Sequence, residues 1–407
     1  MGKRNLRIGI LRETKTPPDR RVPLSPPQVL EAKEQFKNIG FLIQPSAIRC
    51  YKDEEYKYLK LPLSEDLSEC DILMGVKEVD KNSFIANKTY VFFAHVAKKQ
   101  PYNRAMLQEM MKKQITLIDY EYLTTPDGQR VVAFGRWAGI VGAYNAVRAR
   151  GIRTDSFHLK PAHQCHDMEE MYAGLRKVEL RSKKILVTGE GRVASGALET
   201  LNQLNIRKVS REAFLNEDFE EPVLCQVGPQ DYVEHKDGLP FDFNHFIQHP
   251  TEYRSSFKPF SKVTDIFIAC HFWDEKSPHF LTKEDYRDPD FRISVIADVS
   301  CDVGGPIPST LRASTIAEPF YGYNPVMERE EPAFQNPDNI TVMAVDNLPG
   351  ELPRDASQEF GEALLENVFD AMVNVDKQKI VERATILKNG ELTPRYAYLA
   401  DYVAGKE

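Results

Sequence analysis

Short apolar runs rich in branched side chains alternate with helical patterns along the chain. A strand followed by a helix, repeated several times, is typical of parallel sheets covered by helices. The pattern therefore predicts an α/β fold. The predicted strands cover residues 7–11, 72–76, 90–94, 115–118, 184–188, 266–269, 293–297 and 340–345.

Three further segments complete the predicted organisation. Residues 137–150 place apolar side chains on one helical stripe, and we predict a helix here that links two domains. Residues 321–338 are rich in proline and glutamate and have no clean periodicity, which predicts an irregular surface loop. Residues 360–375 carry apolar side chains at helical spacing and predict an amphipathic helix near the C-terminus.

Length and composition narrow the class of protein. A chain of 407 residues exceeds what one hydrophobic core usually organises, so two domains are expected. A net charge of -7 gives no general attraction to nucleic acid. The six cysteines form no C-x-x-C pair, which suits a reducing compartment and predicts a cytoplasmic protein. We expect neither a signal peptide nor a membrane span, because the apolar runs are too short.

A glycine-rich turn follows the predicted strand 184–188, in the pattern Gly189-x-Gly191-x-x-Ala194, and a helical stretch comes next. The first glycine permits the tight turn, the second lets the backbone approach a pyrophosphate, and Ala194 allows close packing of helix on strand. The helix N-terminus favours the anion. We therefore predict that this turn, including Arg192 and Val193, binds a dinucleotide. The alternative is an ordinary strand-to-helix turn.

The choice of dinucleotide depends on a second position. About twenty residues after the turn, an acidic group at a strand end would bind the ribose of NAD. The chain has Lys208-Val209-Ser210-Arg211 there. A small hydroxyl followed by arginine suits a ribose 2′-phosphate, so Ser210 and Arg211 favour NADP(H) over NAD(H). The adjacent Glu212 keeps NAD(H) open.

Polar residues of the first half stand close to the ends of predicted strands: Arg21, Lys77, His95 and Glu121. Proteins with parallel sheets place their chemistry at this edge. Each residue alone is more often a solvated or a satisfied structural side chain. The four together predict a substrate site.

The surrounding segments resemble a known superfamily. Similarity to the alanine dehydrogenase and transhydrogenase superfamily lies in residues 9–15 (GILRETK), 21–24 (RVPL), 75–78 (GVKE) and 93–95 (FAH). Similarity to saccharopine dehydrogenases, and most closely to lysine-ketoglutarate reductase domains, lies in residues 130–139 (RVVAFGRWAG), 296–305 (IADVSCDVGG) and 345–349 (VDNLP). The combination is specific to the superfamily and less specific to one reaction.

The resemblance implies two Rossmann-like domains with parallel sheets flanked by helices and a cleft between them. A discontinuous substrate domain would comprise residues 1–137 and 350–407, and residues 138–349 would bind the dinucleotide. The resemblance also implies that Asp298 and Asp302 line the cleft near the nicotinamide.

In the first domain the resemblance implies roles for the polar residues already noted. Lys77 and His95 would be the acid–base pair, and Glu121 would tune the charge of the site. Arg21 and Arg130 would hold substrate carboxylates, because the planar guanidinium binds a carboxylate in two places at once.

The implied activity is that of an oxidoreductase acting on the CH–NH bond of an amino acid. The lysine-ketoglutarate reductase type joins lysine and 2-oxoglutarate into saccharopine with a reduced nicotinamide. Lysine-forming saccharopine dehydrogenase and alanine dehydrogenase are alternatives. From another class, a non-catalytic nucleotide-binding protein or a soluble transhydrogenase subunit also stays open.

The expected partners are an amino acid and a 2-oxo acid, without nucleic acid or membrane. A separate second dehydrogenase of the lysine pathway is a further expected partner, because relatives of this region are often fused to one. No metal site is predicted, because the spacing in one histidine- and cysteine-containing segment does not match metal ligation: His158, His163, Cys165 and His166.

Overall fold

The computed structural model describes residues 5–181 and 183–406. Its strands, in chain order, are β1 (Leu6–Ile10), β2 (Ile39–Ile43), β3 (Ile72–Lys77), β4 (Thr89–Phe93), β5 (Thr116–Asp119), β6 (Lys184–Thr188), β7 (Arg207–Lys208), β8 (Val223–Val227), β9 (Val233–His235), β10 (Tyr253–Ser255), β11 (Ile266–Ala269), β12 (Val295–Asp298), β13 (Phe320–Asn324), β14 (Arg329–Glu331), β15 (Ile340–Met343), β16 (Thr385–Lys388) and β17 (Glu391–Leu392). Its α-helices are α1 (Pro26–Gln35), α2 (Asp53–Tyr58), α3 (Arg104–Lys112), α4 (Gly135–Thr154), α5 (Met168–Leu175), α6 (Arg192–Leu201), α7 (Arg211–Asn216), α8 (Pro229–Tyr232), α9 (Phe243–Gln248), α10 (Lys258–Ser261), α11 (Pro353–Asn367), α12 (Phe369–Val373), α13 (Ile380–Ala384) and α14 (Ala400–Val403).

The chain forms two compact units, and the first is discontinuous. The first unit comprises Met1–Ala133 and Pro353–Glu407, and the second comprises Phe134–Leu352. The sequence placed these boundaries at 137/138 and 349/350. Helix α4, expected to link two domains, belongs to the second unit from its first residue.

The first unit is built on one sheet with the strand order β17-β16-β5-β4-β3-β1-β2. Strands β1 to β5 pair in parallel, while the C-terminal β16 and β17 pair antiparallel at one edge. Parallel strands are covered on both faces, which explains why β3 and β4 are nearly continuous apolar runs. The carboxyl ends of β3, β4 and β5 therefore lie side by side.

The C-terminal segment returns to this sheet through α11. Its Phe360 packs on Tyr120 and Phe93, with ring centroids 5.0 Å and 5.9 Å apart. The helix predicted at 360–375 begins earlier, at Pro353, and is interrupted at Val368, where φ is -122°. An aromatic cluster thus joins the two chain segments of the first unit.

The second unit has a sheet with the order β14-β13-β15-β12-β11-β6-β8-β7, parallel from β15 to β7. The prediction of an irregular loop at 321–338 is wrong, because β13 pairs antiparallel with β15 and with β14. Tyr321 and Tyr323 are buried in the core, and the Tyr321 hydroxyl donates to the Ser309 carbonyl at 2.9 Å. These two buried tyrosines hold β13 in the core, although the proline and glutamate around it give the segment the composition of a loop.

Helix α4 packs on α6 through glycines that no side chain could replace. A Cβ on Gly139 would lie 1.8 Å from the Val193 carbonyl oxygen, and a Cβ on Gly196 would lie 2.0 Å from that of Arg136. Close contact between these helices fixes the start of α6 relative to the sheet. In the described part of the chain, no helix has both the length and the apolar character needed to cross a membrane.

Candidate active site

The first unit brings Lys77, His95 and Glu121 to the carboxyl ends of three neighbouring parallel strands. Lys77 ends β3 and stands opposite Phe93, so His95 follows β4 two residues later. Asp119 ends β5 opposite Phe92, and Glu121 follows it by two residues. The shared sheet edge expected from the sequence therefore exists for these three residues.

Asp119, which the sequence prediction missed, ties His95 to Glu121. It is fully buried, and its two carboxylate oxygens accept the backbone N–H of His95 at 3.2 Å and that of Glu121 at 2.9 Å. Burial raises the pKa of Asp119 to about 6. The backbone hydrogen bond from Glu121 opposes this shift, and the negative charge of Glu121 adds to it. His95 has a positive φ of 54°, a conformation that needs such support in a residue with a side chain.

Glu121 is the charge centre of this group. It is 6% exposed, and its carboxylate lies 3.4 Å from Nδ1 of His95, 3.0 Å from Nζ of Lys98 and 2.7 Å from Nη2 of Arg130. Burial raises its pKa, but the hydrogen bond from His95 and the charges of Lys98 and Arg130 outweigh burial and hold the pKa at about 2. Glu121 is therefore a fixed negative charge that orients His95 and Arg130.

Lys77 lies in an environment that favours its neutral form. Burial, and then the positive charge of Arg21, lower its pKa, while Asp19 and Glu78 oppose the shift. A lysine with a lowered pKa accepts and releases its proton closer to neutral pH than an ordinary lysine does. The predicted acid–base role of Lys77 thus has a physical basis.

Glu13 positions Lys77, and the sequence prediction missed it as well. Its buried carboxylate accepts the N–H of Val76 at 2.6 Å and that of Lys77 at 2.9 Å. Burial raises the pKa of Glu13 to about 8. The residue stands in the segment 9–15, which resembles the superfamily motif, shortly after β1, which pairs with β3. Adjacency of these strands was the signal that could have found it.

Arg21 is already paired inside the protein. Its guanidinium donates to both oxygens of Asp19, at 3.0 Å and 2.6 Å, and both side chains are 2% exposed. Burial opposes the charge of Asp19, but Arg21 holds the pKa of Asp19 well below its usual range. The effect of Arg21 seen here is electrostatic, on Lys77, and its carboxylate-binding role stays a prediction.

In the second unit the glycine-rich turn fits a dinucleotide. Gly189 has a φ of 99°, and a Cβ there would lie 2.6 Å from the Cys270 carbonyl oxygen. A Cβ on Gly191, by contrast, would meet no protein atom within 4 Å. Gly191 precedes the ten-residue helix α6, whose Ala194 is fully buried and whose first residues, Arg192 and Val193, are not. Open space at a helix N-terminus is what an approaching pyrophosphate requires.

The placement expected for Ser210 and Arg211 is wrong. They follow β7, which β8 separates from β6, so they do not lie at the end of the strand beside the glycine-rich turn. Ser210 instead caps α7, and its hydroxyl accepts the Ala213 N–H at 3.2 Å. Arg211 lies 3.9 Å from Asp231, which follows β8. The short strand β7 follows α6 in the chain but lies at the sheet edge, outside β8, so the spacing along the sequence pointed to the wrong strand.

Asp298 and Asp302 differ sharply in their surroundings. Asp298 ends β12 and is fully buried, and burial raises its pKa. Its oxygens accept the hydroxyl of Ser300 and that of Thr310, each at 2.6 Å. Asp302 is half-buried, and burial raises its pKa too. Asp298 therefore shapes the loop after β12 from inside, and of the two only Asp302 has solvent-accessible surface to offer a ligand.

A histidine cluster lies elsewhere in the second unit, and it is not the segment considered in the sequence. Among the described residues, His235, His245 and Glu252 could hold a metal ion by proximity. However, Nδ1 of His235 accepts the Asp237 N–H at 3.1 Å, which leaves the proton on Nε2, 3.5 Å from Glu252. His235 therefore presents a proton rather than a lone pair to the carboxylate.

Two parallel-sheet units, one with polar strand ends and one with a dinucleotide-type turn, define the class of two-domain α/β dehydrogenases. The chain belongs to the alanine dehydrogenase/PNT family: the N-terminal domain model matches residues 9–141 and the C-terminal domain model matches residues 163–395. This confirms the resemblance seen in the sequence motifs. The family is one of oxidoreductases that act on amino acids.

Curated relatives carry two names. The chain is 28% identical over 437 residues to the alpha-aminoadipic semialdehyde synthase of Arabidopsis thaliana, covering 96% of this chain and 41% of that protein. It is 28% identical over 347 residues to the saccharopine dehydrogenase [NAD(+), L-lysine-forming] of Emericella nidulans, covering 80% of this chain and 82% of that protein. The chain thus spans less than half of the synthase.

Solved structures share the fold. An L-alanine dehydrogenase superposes with a TM-score of 0.65 at 16% identity and covers 98% of this chain and 99% of its own. A transhydrogenase from Sinorhizobium meliloti gives a TM-score of 0.58 at 15% identity, covering 95% of this chain and 98% of its own. These similarities confirm the two-domain α/β fold class.

Proposed function

We propose that the chain is a nicotinamide-dependent oxidoreductase of the lysine-ketoglutarate reductase type, which joins lysine and 2-oxoglutarate into saccharopine. The observation that carries the proposal is the arrangement of Lys77, His95 and Glu121 at three adjacent strand ends. One group there has a lowered pKa, one is an imidazole, and one is a fixed negative charge. Imine formation and reduction need such proton carriers.

The chemistry requires several proton transfers. The side-chain amine of lysine attacks the ketone of 2-oxoglutarate, the carbinolamine loses water, and an imine forms. Lys77 takes a proton from the substrate amine, and His95 donates one to the departing hydroxyl, since an imidazole ring offers both N–H donors and an acceptor nitrogen. The cofactor, when bound, supplies the hydride that reduces the imine carbon.

The remaining charges of the site fit two carboxylate-bearing substrates. Arg130 is half-exposed and held at one end by Glu121, so its guanidinium is oriented before a substrate arrives. Glu121 also orients the His95 ring through its contact with Nδ1, at 3.4 Å. The buried Arg21 contributes a positive charge beside Lys77 that keeps the lysine ready to act as a base.

The lysine-forming saccharopine dehydrogenase reaction is the second candidate. The extent of the sequence match favours it, because the match to the Emericella nidulans enzyme covers 82% of that protein and 80% of this chain. The two reactions use the same carbon–nitrogen bond in opposite directions, because release of lysine from saccharopine oxidises the carbon that is reduced when lysine and 2-oxoglutarate are joined. The amino acid and 2-oxo acid are the proposed small-molecule partners in both, and a separate second dehydrogenase stays a prediction.

The cofactor is proposed to bind at the Gly189–Ala194 turn as NAD(H) or NADP(H). The NADP(H) preference expected from the sequence depended on Ser210 and Arg211, whose strand is not the neighbour of β6. What remains in favour of NADP(H) is the Arg211 side chain, which still reaches the end of β8.

The proposal is tested by following reduced-nicotinamide absorbance with three substrate mixtures. Lysine plus 2-oxoglutarate should cause oxidation, and ammonium plus pyruvate should not. Saccharopine with NAD⁺ or NADP⁺ should release lysine and 2-oxoglutarate for both candidates, and the preferred cofactor and the ratio of the rates in the two directions separate them; release of glutamate would show that the other carbon neighbour of the nitrogen is oxidised. Oxidation with ammonium plus pyruvate alone would make the chain an alanine dehydrogenase, and silence in all mixtures would refute the proposed activity.

A further inference from the structure

The strand beside the glycine-rich turn is β8, and its end presents an acidic residue. β8 pairs with β6 along its full length, with Val227 opposite Thr188, and the Gly189 N–H donates to the Val227 carbonyl at 2.9 Å. In dinucleotide-binding folds, an acidic side chain near the end of the strand that follows the glycine-rich helix accepts the ribose 2′-hydroxyl. In this chain the spatial equivalent of that strand end leads into Gly228 and Asp231.

Contacts between the two strand ends place Asp231 close to the turn. The side chain of Gln226 donates to the Gly189 carbonyl at 3.0 Å, and a Cβ on Gly228 would lie 2.7 Å from the carboxyl carbon of Glu190. Asp231 folds back over the end of β8, where one of its oxygens accepts the Gly228 N–H at 3.0 Å. Its side chain is 23% exposed, which leaves part of the carboxylate open to a ligand.

The Asp231 carboxylate itself does not suit a phosphate. Two cations lie near the end of β8: the side chain of Arg211 is 3.9 Å from Asp231, and Lys208 donates to the Gln226 side chain at 3.1 Å. They offset the charges of Asp231 and Glu190. A phosphate monoester adds nearly two negative charges at neutral pH, roughly -1.5 to -2, and at the position of the ribose 2′ oxygen it would meet the Asp231 carboxylate directly. A ribose hydroxyl would instead donate to the carboxylate.

We propose that Asp231 is the residue that selects the cofactor, by accepting a hydrogen bond from the ribose 2′-hydroxyl, and that the chain prefers NAD(H) over NADP(H). The inference rests on the proposed nicotinamide function. It moves the determinant from Ser210 and Arg211, one strand further out, to the end of β8. It also reverses the preference that the sequence spacing indicated.

The test measures dissociation constants for NADH and NADPH at one ionic strength, by isothermal titration calorimetry. Wild type should bind NADH at least tenfold more tightly, roughly the value of one hydrogen bond to a charged group. Asp231→Asn keeps an oxygen for the Gly228 N–H but removes the charge, and it should reduce the preference roughly tenfold, mainly by improving NADPH binding. Glu212→Gln removes the same charge from an exposed neighbour and should leave the ratio within about twofold.

Each outcome decides the matter. Tighter NADPH binding by wild type, or a ratio unchanged in Asp231→Asn, overturns the assignment of Asp231 and leaves the proposed function intact. Binding of neither cofactor overturns the proposed function itself, and the selection by Asp231 with it. If Asp231→Asn does not fold, as judged by its melting curve, the wild-type ratio together with Arg211→Gln decides, because loss of Arg211 should strengthen the preference for NADH.

Discussion

Replacing Gly191 by valine tests the dinucleotide site most directly, because the protein itself has room for the new side chain. A Cβ at this position meets no protein atom within 4 Å, and its φ of -88° is one that residues with side chains adopt readily. The fold should therefore keep its stability. The added methyl groups would occupy the space through which a pyrophosphate reaches the backbone N–H groups of α6.

The magnitude follows from the hydrogen bonds that are lost. A bond from a backbone N–H to a charged oxygen contributes about 1.5–3 kcal/mol, so loss of one such bond weakens cofactor binding by roughly 10- to 150-fold, and loss of two by the product of two such factors. Gly189→Val is the matched contrast. Its Cβ would lie 2.6 Å from a backbone oxygen of Cys270 at a φ of 99°, so this change should destabilise the fold by about 3 kcal/mol or more.

The assay combines cofactor titration with thermal melting on both variants. Gly191→Val should melt close to wild type and bind the cofactor more weakly by the factor given above, whereas Gly189→Val should melt at a much lower temperature. Unchanged cofactor affinity in Gly191→Val would refute the location of the site. A large loss of stability in that variant would refute the reasoning about free space.

Three further predictions concern the two units separately. His95→Gln and Lys77→Met should each lower kcat by roughly two to four orders of magnitude with cofactor affinity retained. Lys77→Met should also remove the part of the pH–rate profile that is set by a lysine of lowered pKa. Lys112→Met, at an exposed position of α3, is the control, and near-normal kcat in both site variants would contradict the assignment. The pKa of Glu121, about 2 against an ordinary 4.5, means that its charge stabilises the fold above pH 4.5 by about 3 kcal/mol at most, and that this contribution is lost as the pH falls through 2. The difference in melting temperature between wild type and Glu121→Gln should therefore be largest near pH 7 and shrink toward pH 3, and a constant difference would refute it. Asp298→Ala leaves two hydroxyls and a backbone N–H without their acceptor. It should lower the free energy of unfolding of the second unit by several kcal/mol, about 1–3 for each buried donor, as measured by calorimetry. An effect no larger than that of Asp302→Ala would contradict this account.

Periodicity predicted most of the fold correctly. Parallel strands buried on both faces are continuous apolar runs, and the strands at 184–188 and 266–269 match the structure residue for residue. The pattern failed where a strand is short or polar. β7 has two exposed residues and β14 lies at a sheet edge, so neither leaves an apolar signal. β13 is held by two buried tyrosines within a segment that otherwise has the composition of a loop.

The candidate site was predictable only as far as its ionisable side chains. Lys77, His95 and Glu121 follow strands that the sequence shows, and their grouping follows once those strands are neighbours. Strand order is a property of the folded sheet, and spacing along the sequence predicted the wrong neighbour for the strand before the glycine-rich turn. The position about twenty residues after the glycine-rich turn is at the end of a strand that is not the neighbour of β6.

Two buried carboxyl groups hold the acid–base residues through their main chain. Glu13 accepts two consecutive backbone N–H groups at the end of β3, and Asp119 accepts one from each of the segments that carry His95 and Glu121. Burial raises the pKa of both carboxyls, to about 8 and about 6, so their ionised forms are costly to maintain. Holding the main chain in this way leaves the amine of Lys77 available for proton transfer, while the contact from Glu121 reaches the His95 ring at Nδ1 and orients it.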